Sequence, residues 1–253
     1  MASPYVRERH GRLWRALWAI VGSLAVSLAL IGAALAEPAV AGARVAKQQL
    51  VAVLTANEAV RAAPNGRRIA IVLARRPLTG GPTVLPILSR TADRSGRTWL
   101  RVRLPGRTLG TRPPPASGWI NAAQTQLRVT LWHIVVDLGS RTVTVYDDGH
   151  SVRRFSAIVG KPSTPTQPGQ YFVEEDVILS SGQPGGPFAL ATSDRSAVLK
   201  QFDGGPGQIA IHGLQNLGGR LGTAESHGCV RLANKNITWL AKRVGAGTPI
   251  TIS

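Results

Sequence analysis

From Leu50 onward the chain offers its apolar residues in short runs, each closed by Gly, Pro or a knot of polar turn residues. Leu50-Val51-Ala52-Val53-Leu54, Ile69-Ala70-Ile71-Val72-Leu73 and Val84-Leu85-Pro86-Ile87-Leu88 are such runs, and Gly118-Trp119-Ile120 is a shorter one. With 28 Gly and 17 Pro in 253 residues, this punctuation favours turns and short strands over long helices. Trp99-Leu100-Arg101-Val102-Arg103-Leu104 alternates apolar and basic residues, the pattern of a half-buried strand with a wet basic face. Short strands so spaced predict a small β-barrel over residues 49–127.

The second half, residues 128–253, has a different character. Val129 to Val136 is an apolar run, Asp137-Leu138-Gly139-Ser140 a turn, and Thr142-Val143-Thr144-Val145-Tyr146 the next strand. Asp147-Asp148-Gly149-His150 signals a hairpin turn into a strand from Val152 to Val159. Ile209-Ala210-Ile211 reads as a strand ending at His212, and Leu214 to Glu225 as a Gly-rich loop. Asn234 is placed to cap a helix whose inner face carries Ile237, Leu240, Ala241 and Val244, stopped by Gly245. Thr248 to Ile252 makes a closing strand. The expectation is a mostly β domain with one or two short helices.

Ahead of both, Arg7, Arg9, Arg12 and Arg15 precede an uncharged span from Ala16 to Ala36. A basic flank followed by an apolar stretch is an export signal, and Ala34-Leu35-Ala36 offers a small-residue cleavage site. The stretch is also long enough to cross a bilayer. Residues 1–36 are therefore read as a signal peptide or a transmembrane anchor, and residues 37–48 as an Ala-rich linker. With the basic flank on the N-terminal side, the rest of the chain is expected outside the cytoplasm, secreted or anchored.

The formal net charge of +17 is unevenly spread. Residues 51–127 hold 12 basic and 2 acidic side chains, whereas residues 128–253 hold 12 and 9. The excess thus sits in the expected barrel and away from the lone cysteine. Such a surface attracts polyanions. The cations are all Arg and no nucleic-acid-binding motif accompanies them, which disfavours nucleic acid. Anionic wall polymers or a membrane surface suit an exported protein better, and a solvated basic face with no specific partner is the plain alternative.

Chemistry concentrates in Ser226-His227-Gly228-Cys229-Val230-Arg231, with His212-Gly213 upstream. Cys229 is the sole cysteine, so an intrachain disulfide is ruled out and packing, metal binding or reaction remain. A thiol needs a base to act as a nucleophile near neutral pH, and imidazole is the usual one. The glycine beside it lets backbone approach a substrate and aim amide groups at an oxyanion. His212, His227 and Cys229 fall short of a zinc set, with no second cysteine and no closely spaced histidine pair. No metal or organic cofactor is expected. His133 lies in an apolar run and reads as structural, and His10 and His150 as exposed. Asp147-Asp148 is a turn, and Glu174-Glu175-Asp176 is taken as a strand end, so neither supplies the acid pair of a glycosidase.

Ile211-His212-Gly213 followed by Ser226-His227-Gly228-Cys229-Val230-Arg231-Leu232 resembles the signature of the L,D-transpeptidases, the YkuD-type catalytic domain. Asp137-Leu138, Val143-Thr144-Val145-Tyr146 and Pro162-Ser163-Thr164-Pro165-Thr166-Gln167-Pro168-Gly169-Gln170-Tyr171 resemble that family's opening hairpin and following loop. Leu214 departs from the pattern, where a small hydroxyl residue is more usual, and the interval before Ser226 is slightly long. The segment from Trp99 through Pro105-Gly106-Arg107 to Gly118-Trp119-Ile120 resembles the end of a bacterial SH3-like domain. Together these imply an SH3-like barrel in front of a β-rich catalytic domain that acts on peptidoglycan stem peptides. The resemblance implies Cys229 as nucleophile, His212 as general acid and base, and Gly213 as the carbonyl that orients the imidazole. It implies Gly228 and Cys229 amides as oxyanion donors, with Ser226 and His227 shaping the loop and Arg231 holding a stem carboxylate. The implied reaction is a 3→3 cross-link made through a cysteinyl thioester with release of D-alanine. An L,D-carboxypeptidase using the same thioester, or a catalytically silent wall-binding protein, are the alternatives.

Overall fold

The computed structural model describes residues 45–106, 115–202 and 205–253. The expected export segment and residues 37–44 of the linker lie outside these. Among the described residues no helix is long and apolar enough to cross a membrane.

The first sheet is built from β1 (Gln49–Leu54), β2 (Glu58–Arg61), β3 (Arg68–Val72), β4 (Val84–Ala92), β5 (Thr98–Arg103), β6 (Ser117–Asn121) and β7 (Thr125–Thr130). Its seven strands run in the order β3-β2-β6-β5-β4-β1-β7, and every pairing is antiparallel. A single 3-10 turn, Ala122–Gln124, is capped by the Asn121 side chain accepting from Ala123 N at 3.0 Å. Leu85, Leu100, Val102 and Ile120 face inward and are fully buried, while Arg101 between two of them is exposed. This is the alternation the sequence predicts. Four consecutive residues of β1, Val51 to Leu54, are buried instead. The reason is that β1 is covered on both faces: Ala52 and Leu54 enter the sheet's own core, and Val51 packs where Gly247 approaches.

The second sheet begins with β8 (Trp132–Asp137), β9 (Thr142–Asp147) and β10 (His150–Ser156), joined as antiparallel hairpins. A short β11 (Val159–Gly160) precedes two long strands, β12 (Gly169–Ile178) and β13 (Phe188–Arg195). After a small ribbon of β14 (Gln201–Phe202) and β15 (Gly205–Pro206) come β16 (Gln208–His212), β17 (Ala224–Ser226) and β18 (Val230–Arg231). Helix α1 (Asn234–Ala241) and β19 (Pro249–Ile252) end the chain's ordered elements. The sheet order is β10-β9-β8-β19-β12-β13-β16-β18, with β19 parallel to β8 and β18 parallel to β16. Ile134, Val136, Val143 and Val145 alternate into one core with Leu190, Ile211, Val230 and Leu232, and α1 lays Ile237, Leu240 and Ala241 over it.

Asn234 does not cap α1. Ala233 holds that position without a side-chain bond, and Asn234 Oδ1 accepts from Leu214 N at 2.8 Å, tying the helix start to the loop after β16. His133 is structural as expected, with Nε2 at 2.8 Å from Thr251 Oγ1.

Glu174 and Glu175 overturn their reading as a strand end. They sit in the interior of β12, 1% and 3% exposed. Glu175 Oε2 accepts from Leu78 N, Thr79 N and Thr79 Oγ1 at 2.9–3.0 Å. Glu174 pairs with Arg76 and with Arg195, the latter at 3.3 Å, and accepts from Gly106 N at 2.9 Å and Gln208 Nε2 at 3.3 Å. Buried carboxylates persist when every lone pair finds a donor or cation, and here the donors come from both sheets. Phe172, 1% exposed, leaves β12 to join the first sheet's core. Ala43–Ser253 form one compact unit.

Candidate active site

Strand β16 ends on His212, and β18 runs parallel beside it with Ile211 opposite Val230 and His212 opposite Arg231. Cys229 comes one residue before β18, so the register alone brings the two reactive side chains to the same end of the sheet. Both line one cavity of about 320 Å3, together with Leu179, Ile209, His227 and Arg231. Cys229 remains partly exposed there.

His212 Nδ1 lies 2.8 Å from the carbonyl oxygen of Gly213. A carbonyl can only accept, so Nδ1 carries the proton and Nε2 is left as the basic nitrogen. Burial pushes the imidazole pKa down to about 4; the Gly213 hydrogen bond works against this and Arg231 adds to it. Burial likewise pushes the Cys229 thiol up from its ordinary value, opposed by a backbone hydrogen bond to Ala210 and by Arg231. Near neutral pH both the thiol and the imidazole are therefore uncharged in the cavity they share.

The loop before the cysteine is held by Ser226. Its Oγ donates to Cys229 O at 2.6 Å and accepts from Gly228 N at 3.1 Å. Ser226 ends β17, which pairs in parallel with β11, and its own carbonyl accepts from Lys161 N at 2.9 Å. Thr166 Oγ1 donates to Gly228 O at 2.7 Å. Gly228 has φ of 117°, and a Cβ there would lie 2.7 Å from Ile209 Cδ1, so only glycine fits.

The Gly228 amide, expected as an oxyanion donor, donates to Ser226 Oγ in this structure. The Cys229 amide has no acceptor among the described residues and remains a candidate. His227 is exposed at the cavity rim, with Nε2 3.4 Å from Lys161 Nζ. Arg231 donates through Nη1 to Gly218 O at 3.3 Å, while its buried Nε has no partner. Among the described residues no cluster of three His, Cys, Asp or Glu side chains is arranged for a metal.

Sequence reasoning missed the far wall of the site. The backbone at Gly185 lies on the His212 imidazole, where a Cβ would stand 2.8 Å from Nδ1, and that at Gly186 lies against Gln215. Gly213 N donates to Gly185 O, and Gly185 N to Gln215 O, both at 2.7 Å. The signal was the Gln183-Pro184-Gly185-Gly186-Pro187 cluster, which marks a turn without saying what the turn packs against.

The described fold is mostly β, with His212 closing β16 and Cys229 just ahead of the neighbouring β18. The family model described as the L,D-transpeptidase catalytic domain, YkuD, matches residues 132–252, a little under half of the chain, and this segment is similar to such a domain. The protein carrying the L,D-transpeptidase name YkuD in Bacillus subtilis (strain 168) is 34% identical over 122 residues, 48% of this chain and 66% of that protein. L,D-transpeptidase 1 of Mycobacterium tuberculosis is 30% identical over 132 residues, 47% of this chain and 49% of the relative. Among solved structures, an L,D-transpeptidase from Mycobacterium smegmatis aligns over 77% of this chain and 99% of its own, at 20% identity and a TM-score of 0.38.

Proposed function

We propose that this chain is an exported peptidoglycan L,D-transpeptidase that works through a Cys229 thioester. The observation that carries the proposal is the shared cavity of Cys229 and His212, with Nδ1 engaged by Gly213 O and Nε2 free to take a proton. In the first half-reaction the thiol proton passes to His212 Nε2 as sulfur attacks the carbonyl of the third residue of a tetrapeptide stem. The negative charge that develops on that oxygen is met by the Cys229 amide. The tetrahedral intermediate collapses, the bond to D-alanine breaks, and the proton on His212 goes to the departing amine. A side-chain amine of a second stem then attacks the thioester, losing a proton to His212, and the thiol returns as the 3→3 amide forms. The unpartnered Nε of Arg231 at the cavity supports a role in holding a stem carboxylate. Ser226 and His227 shape the loop.

The first sheet is read as an SH3-like module presenting the basic surface to wall polymers. Water in place of the second amine would make the same site an L,D-carboxypeptidase. Incubation with a tetrapeptide-stem muropeptide and mass analysis of products separates the readings. A cross-linked dimer with loss of D-alanine supports the transpeptidase, a tripeptide monomer the carboxypeptidase, and no product the catalytically silent wall-binding protein.

A further inference from the structure

The strand registers of the first sheet place a row of side chains that the reaction does not use. Ser89 on β4 stands opposite Arg101 on β5, Arg101 opposite Trp119 on β6, and Trp119 opposite Arg61 on β2. Residues directly opposite one another project from the same face, so the four lie across the outer side of the sheet. At about 4.8 Å per strand the row spans roughly 14 Å. It presents a half-buried indole between two guanidinium groups. Two residues further along β5, Arg103 continues on the same face opposite Ser117.

Neither Arg61 nor Arg101 has a carboxylate partner among the described residues. Arg61 donates to Gly66 O at 2.7 Å and Arg101 to Ser117 Oγ at 3.2 Å, which leaves most of each fork unused. The two acidic residues of the region are committed elsewhere. Glu58 is buried at 5% exposure. Asp93 accepts from Ser95 Oγ, Trp99 Nε1 and Asn65 Nδ2 at 2.7–3.0 Å, bonds that hold its carboxyl well below the usual range. Arg61 and Arg101 thus present guanidinium groups without carboxylate partners among the described residues, on either side of one ring to stack on.

We infer that the Arg61–Trp119–Arg101 row is a binding surface for an anionic glycan, a sugar polymer bearing carboxylate or phosphate groups. Guanidinium forks match such groups in bidentate geometry, and a single indole suits the apolar face of one sugar ring. Single-stranded nucleic acid calls for aromatic platforms under successive bases, and the neighbouring Trp99 is only 2% exposed. The proposed wall activity enters only in preferring a glycan to other polyanions; the row stands without it.

The test measures binding of the full chain to hyaluronan by tryptophan fluorescence at about 0.15 M salt, where exposed charges act over about 8 Å. Dextran, oligo(dT) and anionic phospholipid vesicles serve as comparisons. Hyaluronan is expected to bind and dextran not to. Arg61→Gln, Arg101→Gln and Trp119→Ala should each weaken binding about tenfold, while Arg154→Gln, an exposed arginine of the other sheet, leaves it unchanged. Acylation of Cys229 by a carbapenem, followed in each variant, reports that the fold is intact. It also separates failure here from failure of the proposed activity. The inference is overturned if hyaluronan does not bind, if dextran, oligo(dT) or vesicles bind as tightly, or if Arg154→Gln weakens binding as much as the row variants.

Discussion

The two sheets use charge in opposite ways. In the first, arginines stand on the surface without carboxylate partners among the described residues, apart from Arg76. In the second, three carboxylates go inward: Glu174, Glu175 and Asp194 are each under 4% exposed. Surface charge changes folding stability little and governs what the molecule meets, whereas buried charge must be matched where it sits. Glu174 is where the two habits join, because one side chain takes Arg76 from the connection between β3 and β4, Arg195 from β13 and Gln208 from the strand that ends on His212. The strand that ends on His212 is thereby linked through Glu174 to Arg76.

The site itself gives the largest expected effect. His212→Gln removes the basic Nε2 without emptying the space, and should slow acylation by roughly 10²–10⁴-fold while leaving thermal unfolding near wild type. A loss of only a few-fold would mean that a different group takes the thiol proton. The pH profile sharpens the point. With His212 held at about 4 by burial, acylation should stay flat from pH 8 down through the usual imidazole range and fall only as His212 protonates. An acid limb centred near 6.5 would show a solvated imidazole instead.

Next in size is that link. Glu174→Ala leaves Arg195 and Arg76 without their shared carboxylate in a buried setting, and a loss of about 3–5 kcal/mol in denaturant unfolding is expected. Arg68→Ala, exposed on β3, should stay within about 0.5 kcal/mol. Equal losses from the two would erase the contrast between the sheets.

Asp194 offers a subtler break. Burial raises its carboxyl to about 7, and its Oδ2 has no hydrogen-bond partner. The native state therefore keeps a proton that the unfolded chain has released, so this group's contribution to stability is full below the unfolded value near 4 and is lost as pH rises toward 7. His212, with its pKa lowered, acts in the opposite direction between about 4 and 6.5. Asp194→Asn should remove the decline and leave stability rising with pH across that window. A slope unchanged by the substitution would show that Asp194 is ionised throughout.

A smaller effect than that of Glu174→Ala is expected at Ser226. Ser226→Ala removes the hydroxyl that joins Gly228 N to Cys229 O, at a cost of about 1–3 kcal/mol for the groups left unpaired. It should reduce acylation less than His212→Gln does, as judged by initial rates.

Much of the second sheet was legible from local pattern. The alternation of β8 and β9, the helix face of Ile237, Leu240 and Ala241, and the placing of His212 and Cys229 on one cavity all follow from neighbours in sequence or from one compact motif. What escaped were features made by distant segments. Arg76 and Glu174 meet across 98 positions, and neither carries a local sign of the other. Glu174-Glu175-Asp176 read as a strand end because three consecutive acids look solvated, and only their partners make burial tolerable. The bond from Gly228 N to the Ser226 hydroxyl two residues away was not legible either.

The most direct test of the central claim is the intact mass of the full chain after exposure to a carbapenem, wild type beside Cys229→Ala. One adduct per wild-type chain and none on the variant is the predicted result. An adduct that persists without Cys229 would contradict the assignment of the sulfur as nucleophile.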